Sequence, residues 1–216
     1  MKLYDSVGPN PRLVRMFLAE KGLTLLSVQV DLMAGENRGE AYRKKNPFGQ
    51  LPALEQDDGR VIAETVVICE YLEEKHPQPV LIGATPEERA ETRMWTRRAV
   101  LHVIEPMSNG FRYKEALAMF KDRMRTIPQA ADDLKALAQD GLKVFDQGLT
   151  GRTWIAGSRF TLADIALYAM LDFFSGVGQP LDPALANLGA WFKRVGARPS
   201  ADASIHPNAK AAKMRA

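Results

Sequence analysis

Apolar and polar positions along the first eighty residues switch between a period of two and a period near 3.6. Residues 2–5 read as a short strand. Residues 11–21 read as a helix, with Leu13, Val14, Phe17 and Leu18 on one face and Gly22 just past its end. Residues 24–30 alternate and carry β-branched side chains, which predicts a second strand, and 38–45 reads as a weaker helix. Residues 51–55 and 60–63 flank Gln56-Asp57-Asp58-Gly59, a turn sequence that makes them a hairpin. A helix over 64–75 closes the unit. The order βαβαββα is that of an α/β domain.

Beyond residue 86 the pattern is helical almost throughout. Residues 87–105 form a long amphipathic stretch that Pro106 should kink or end. Residues 128–149 begin with Pro128 at a first-turn position. Thr161-Leu162-Ala163-Asp164 reads as a capping box, with Asp in the place of Glu or Gln, ahead of an apolar helix over 165–174. Residues 183–195 give the last helix. Between the two patterns His76-Pro77-Gln78-Pro79, Gly83 and Pro86 interrupt helix and strand alike. The expected organisation is therefore an α/β domain over 1–78, a linker over 79–86 and an all-α bundle over 87–216. Low complexity is confined to the Ala/Lys-rich tail after Pro207.

Composition narrows the function without naming it. The chain has 216 residues, 46% hydrophobic and 25% charged, which is ordinary globular usage and ample for a core. A net charge of +3 is too small for a dedicated nucleic-acid binder. One cysteine, Cys69, excludes an intrachain disulfide, a Cys-rich zinc site and a Cys-x-x-Cys pair. The first residues carry no apolar leader and no run approaches a membrane span, so the expectation is a cytoplasmic protein with no membrane partner. His76, His102 and His206 are far apart, which suggests neither a metal site nor a nucleophile–His triad. His102, among apolar neighbours, reads as a core histidine, and His206 as incidental.

Three junctions of the first domain hold candidate chemistry. In Gly8-Pro9-Asn10-Pro11 an Asn before a Pro is a helix start. Asn10 is a cap on one reading. On the other, it and the helix N-terminus present donors to a thiolate or carboxylate. In Asn46-Pro47-Phe48-Gly49-Gln50-Leu51-Pro52 a Pro interrupts a strand-like run. That marks an edge strand, or an edge kept open for the Leu51 backbone to pair with a peptide-like ligand. In Ala63-Glu64-Thr65 the Thr is a cap, or it grips a carboxylate while Glu64 answers an ammonium. None of the three decides the matter alone.

Together, in this order and at these distances, they resemble the cytosolic glutathione transferases over nearly the whole chain. The most specific pieces are Asn46 to Pro52, Glu64-Thr65 before a helix carrying Tyr71-Leu72, and Phe160-Thr161-Leu162-Ala163-Asp164. The resemblance implies a thioredoxin-like first domain with Pro52 cis, glutathione as co-substrate and a homodimer. It implies that the Leu51 backbone pairs with the cysteinyl part of glutathione, that Glu64 and Thr65 hold its γ-glutamyl end, and that Gln50 contacts the tripeptide backbone. Asn37 or Arg38 falls where the glycyl carboxylate is bound.

The chain also departs from the family pattern. Gly8 stands where serine-type members carry their hydroxyl, and no Cys lies near Asn10. Tyr4 coincides with the tyrosine of another branch but reads as a packing residue. The junction looks most like an atypical bacterial and fungal branch. Asn10 is then the first candidate for the sulfur, with Ser6 as the fallback. The electrophile pocket is expected between the domains, from Pro9 with Met107, Ser108, Phe111 and Arg112; bundle core is the alternative for its apolar members.

The chemistry that follows is activation of a thiol. A free cysteine thiol has a pKa of about 8.5, and donors aimed at sulfur lower it by roughly one to two units. The expected reaction adds the glutathione sulfur to a small hydrophobic electrophile. A glutathione-dependent disulfide or peroxide reductase and a non-enzymatic glutathione-binding module are the alternatives.

Overall fold

The computed structural model describes residues 1–209; the remaining residues of the Ala/Lys-rich tail lie outside the described part. Two compact units divide the chain. Residues 1–81, joined by the described residues from Pro199 onward, form the first, and residues 82–198 the second.

In the first unit β1 (Lys2–Asp5) pairs in parallel with β2 (Leu26–Gln29) and antiparallel with β3 (Ala53–Glu55). β3 in turn pairs antiparallel with β4 (Val61–Ala63), giving the order β2-β1-β3-β4. Successive β1 residues point to opposite faces, and Leu3 and Tyr4 are both buried, so both faces must be covered. On the Tyr4 face a cluster forms with Val30, Leu51, Ala53 and Tyr42, the last from the single-turn helix α2 (Glu40–Arg43). The helices α1 (Pro9–Lys21) and α3 (Thr65–Lys75) pack together, and α3 packs against β3 and β4. Their apolar stripes, Leu13, Val14, Met16 and Phe17 with Ile68, Cys69 and Leu72, are fully buried. Lys21 is buried among them. Its Nζ donates to Glu73 Oε2 and to the Pro79 carbonyl, both at 2.7 Å, and Glu73 Oε1 accepts from the Leu81 N–H. One ion pair thus ties α1, α3 and the chain leaving α3.

The second unit comprises α4 (Pro86–Ala99), a π-helical turn (Val100–Ile104), α5 (Glu105–Tyr113), α6 (Leu117–Phe120), α7 (Ala131–Gly148), α8 (Leu162–Ser175) and α9 (Ala186–Gly196). α8 is buried from Leu162 to Phe174, with α4 and α9 against it, while α5 packs on α7. Its start is a capping box. The buried Asp164 carboxylate accepts from the Thr161 N–H (2.9 Å), the Thr161 hydroxyl (3.2 Å), the Ile155 N–H (3.0 Å) and Trp191 Nε1 (2.8 Å). Burial raises its pKa to about 6 against the opposing pull of those donors.

The chain then returns to the first unit, where α10 (Pro199–Ala203) packs on α1.

Several expectations are corrected. Helix α1 begins at Pro9, not residue 11, with Gly8 as its cap residue and no side-chain capping bond. Asn10 is therefore the second helical residue and caps nothing. Pro106 is the second residue of α5, and the α-helical pattern is interrupted before it, over Val100–Ile104. Lacking an N–H, Pro106 strands the carbonyl four residues earlier, that of His102, and the helix loosens into the π turn around it. Gly141 of α7 lets this carbonyl approach, since a Cβ there would lie 2.4 Å from it. His102 is consequently exposed rather than in the core, and His206 is buried rather than incidental. Leu81 and the described residues from Pro199 onward group with the first unit. The short helices α6 and α10 lie outside any predicted element.

Candidate functional site

Sheet register brings three chain crossings to one end of the first unit. Tyr4 pairs with Ala53, and Ala53 with Ala63. Beyond that row β1 runs out into Ser6 and α1, β3 is entered from Leu51-Pro52, and β4 runs out into Glu64-Thr65. The candidate residues of all three junctions therefore share one edge of the sheet.

The first junction is made by Gly8, whose φ of 145° is open to glycine and strained for other residues. It delivers the chain into α1 through Pro9, Asn10 and Pro11. Neither proline has an N–H, and the Arg12 N–H is already bonded to the Gly8 carbonyl at 3.1 Å. Of the first three helical residues, only Asn10 keeps a backbone donor. Its half-buried side chain makes no hydrogen bond among the described residues. The hydroxyls of Ser6 and Tyr4 are committed. Buried Ser6 donates its Oγ proton to the Val30 carbonyl at 2.7 Å. Tyr4 donates to Glu55 Oε2 at 2.6 Å and sits edge-on to Tyr42, the packing role read from the sequence. The hydrogen bond from Lys2, followed by those from Tyr4 and Lys45, holds the Glu55 carboxyl down at about 2. Val30 and Glu55 lie 24 and 51 positions from the groups they engage, so no local pattern announces them.

The second junction is the loop before β3, and the Leu51–Pro52 peptide is cis. Side chains grip its backbone from beneath. Tyr42 Oη and Asn46 Nδ2 both donate to the Gln50 carbonyl, at 2.8 and 2.9 Å, and Asn37 Nδ2 donates to the Gly49 carbonyl at 2.5 Å. Arg38 Nη1 reaches the Phe48 carbonyl at 3.3 Å. Asn37 is thus buried under the loop, while Gln50 and Phe48 are exposed. At the third junction Glu64 is exposed with φ 68° and ψ 118°, the only described non-glycine residue at positive φ. Such strain clusters at binding sites. Glu64, not Thr65, occupies the cap position of α3, and no side-chain capping bond forms there.

The second-unit candidates all lie on α5. Met107 is fully buried and its carbonyl accepts from Gln179 Nε2 at 3.0 Å; Ser108 is buried beside it. Phe111 packs edge-on to Phe173 and Phe174, with ring centroids 5.5 and 5.9 Å away. Arg112 donates to Asn109 Oδ1 at 3.0 Å. Pro9 belongs to the first unit. Cys69 is fully buried, and burial pushes its thiol pKa up, so it is a poor nucleophile. Among the described residues no group of three or more His, Cys, Asp or Glu is placed to hold a metal ion, and no helix is long and apolar enough to cross a membrane.

Comparison with known proteins decides the family. A family model for the glutathione S-transferase N-terminal domain matches residues 3–80, and one for the C-terminal domain matches residues 112–199. The chain belongs to the glutathione S-transferase family. Glutathione S-transferase 2 of Saccharomyces cerevisiae is 33% identical over 208 residues, covering 93% of this chain and 87% of its own. Among solved structures, a glutathione S-transferase domain-containing protein of Marinobacter aquaeolei superposes with a TM-score of 0.87 at 38% identity, covering 93% of this transferase and 99% of that chain. Gtt2 of Saccharomyces cerevisiae gives 0.89 at 32% identity, covering 95% and 100%. The fold of the transferase is accordingly a thioredoxin-like sheet-and-helix domain with a helical second domain.

Proposed function

We propose that this transferase binds glutathione at the common edge of β1, β3 and β4, activates its thiol there, and adds the sulfur to a small hydrophobic electrophile. The observation that carries the sulfur assignment is the isolation of Asn10. Two prolines strip the first turn of other donors, and the Ser6 and Tyr4 protons are engaged elsewhere. The Asn10 N–H and side-chain amide are then the donors at the start of α1, where the helix dipole also favours a thiolate. Ser6 serves the site by holding the strand end to Val30. Leu51, with Gln50 and cis-Pro52, offers backbone to the cysteinyl part. Glu64 and Thr65 take the γ-glutamyl end. Arg38 takes the glycyl carboxylate, with Asn37 holding the loop beneath it.

In this reading residues 1–78 hold glutathione. Phe111 and Arg112 of α5 are our candidates to contact the electrophile, since Met107 is fully buried and Ser108 nearly so. The chemistry needs no metal. The cellular role we assign is detoxification of electrophiles in the cytoplasm.

The protein acts as a homodimer in our reading. Met94, Leu101, Leu137 and Val144 are large, exposed apolar side chains of the second unit. Leu101, Leu137 and Val144 line a groove of about 650 Å³ together with Arg98 and Asp140. A patch that mixes apolar surface with both charge signs suits a self-complementary, two-fold contact. Sedimentation of the native chain and of Leu137→Lys should show a dimer and a shift towards monomer.

The decisive test is enzymatic. The native chain should conjugate glutathione to a chlorinated nitrobenzene. Asn10→Ala removes one hydrogen bond to a charged sulfur, and kcat/KM should fall roughly tenfold to a hundredfold, with a higher pKa for the bound thiol. An unchanged thiol pKa in this variant would remove Asn10 from the role.

A further inference from the structure

The turn that carries Asn10 is tied to the far end of the chain by one guanidinium. Asp5, buried at the end of β1, accepts on Oδ1 from the Ser6 N–H at 2.8 Å and from Arg15 Nη1 at 2.5 Å. The same Nη1 donates to the Ser6 carbonyl at 3.1 Å, and Arg15 Nε donates to the Ser204 carbonyl at 2.8 Å. Arg15 therefore touches the strand end, the turn and residue 204 at once, from two helical turns into α1.

Residue 204 is itself firmly placed. Arg12, wholly buried on α1, donates to the Ala201 carbonyl at 3.2 Å and to Ser204 Oγ at 3.3 Å. The Ser200 hydroxyl bonds the Glu20 carboxylate. At the other end of the segment His206 Nδ1 accepts from the Asn208 N–H at 3.1 Å, which puts the ring proton on Nε2, where it donates to Gln29 Oε1 at 2.7 Å. Burial, and then the Arg15 charge, lowers the His206 pKa, with Asp5 opposing. The segment is thus pinned to α1 and to β2, the two neighbours of the turn.

A buried ion pair contributes little net stability, because desolvation cancels most of the attraction. What it does well is fix geometry. Aiming a single donor at sulfur requires the first turn of α1 to keep its place against β1 to within a fraction of an ångström. The planar guanidinium fork reaches three acceptors in two directions, which a lysine point charge cannot reproduce. We propose that Arg15 is a positioning residue for the thiolate site, and that residues 199–209 serve the reaction through it by presenting the Ser204 carbonyl. This rests on the reading of the β1–α1 turn as the place where glutathione sulfur is activated.

The test compares the native chain with Arg15→Lys, His206→Ala and the double variant. The readouts are glutathione KM, kcat with a chlorinated nitrobenzene, and the pKa of the bound thiol from its thiolate absorbance. Arg15→Lys should lower kcat about tenfold and raise the thiol pKa, with KM for glutathione within about threefold. His206→Ala should move the same readouts in the same direction by less. The double variant should be no worse than Arg15→Lys, because both act through one contact. If Arg15→Lys does not fold, His206→Ala decides by the same readouts.

A native chain that forms no thiolate with glutathione overturns the functional reading and this proposal together. A native chain that does, paired with variants of unchanged kcat and thiol pKa, overturns this proposal alone. So does a parallel loss of kcat, glutathione affinity and melting temperature, since that would be a plain structural role.

Discussion

Replacing Asp164 by alanine should be among the most damaging single changes in the second unit. The carboxylate accepts from Trp191 Nε1, the Ile155 and Thr161 N–H groups and the Thr161 hydroxyl, all in a buried site. Alanine leaves three buried N–H donors without an acceptor, at about 1–3 kcal/mol each. Part of that is offset by removing a carboxylate that is costly to bury, so the net loss should be about 3–5 kcal/mol. For a chain of this size that corresponds to a fall in Tm of about 10 °C. Urea titration followed by tryptophan fluorescence, with Trp191 as an inside reporter, measures it directly.

The pH dependence gives the prediction a second edge. Burial raises the Asp164 pKa from 3.8 to about 6, so the folded state holds this proton more tightly than the unfolded chain. Its contribution is therefore fully present below 3.8 and is lost as pH rises through about 6. The penalty of Asp164→Ala should consequently be about 1 kcal/mol larger near pH 5 than near pH 7.5. A penalty under about 1 kcal/mol at neutral pH would mean that the donors find other partners, and the account of this network would be wrong. A penalty that shrinks on acidification would refute the pKa direction.

Two further perturbations test the packing. Lys21→Met takes the cation from a buried Glu73 and should cost about 3–5 kcal/mol in a urea titration, while Lys21→Met with Glu73→Leu should recover most of it; a single variant as stable as the native chain would show the pair to be dispensable. Gly141→Ala would ordinarily strengthen a helix by about 1 kcal/mol. Here it should destabilise by about 1–3 kcal/mol, because the new Cβ meets the His102 carbonyl, and a Tm at or above the native value would contradict the close approach of α7 to the π turn.

What the sequence revealed and what it hid divide along the range of the interactions. β1, the hairpin around Gln56 to Gly59 and the Thr161–Asp164 box are set by neighbours within a few positions, and each lies where local patterning puts it. The start of α1 was misplaced by two residues because both Pro9 and Pro11 fit a first turn, and only the Gly8 backbone shows which of them is first. Helical periodicity read through residues 100–104 assumes an α-helix. The π turn shifts the phase, and His102 comes out facing solvent. His206 lies 177 positions from Gln29, and Ser204 lies 189 from Arg15, so their burial belongs to the chain's return and to no local pattern. At the site, the motif residues were legible by type and order. What was not legible was which protons are free, because Val30 and Glu55 decide that from other strands.

The return of the chain to the first unit has a consequence for synthesis. Strands β1 to β4 and helices α1 and α3 are all made before residue 82, yet the Ser204 carbonyl that accepts from Arg15 Nε is made only after the whole second unit. At about 5–20 residues per second, roughly 120 residues separate the two, an interval on the order of ten seconds. Through that interval the nascent first unit has an Arg15 Nε donor without its Ser204 acceptor and a face of α1 without α10. The first unit is begun before the second and finished after it.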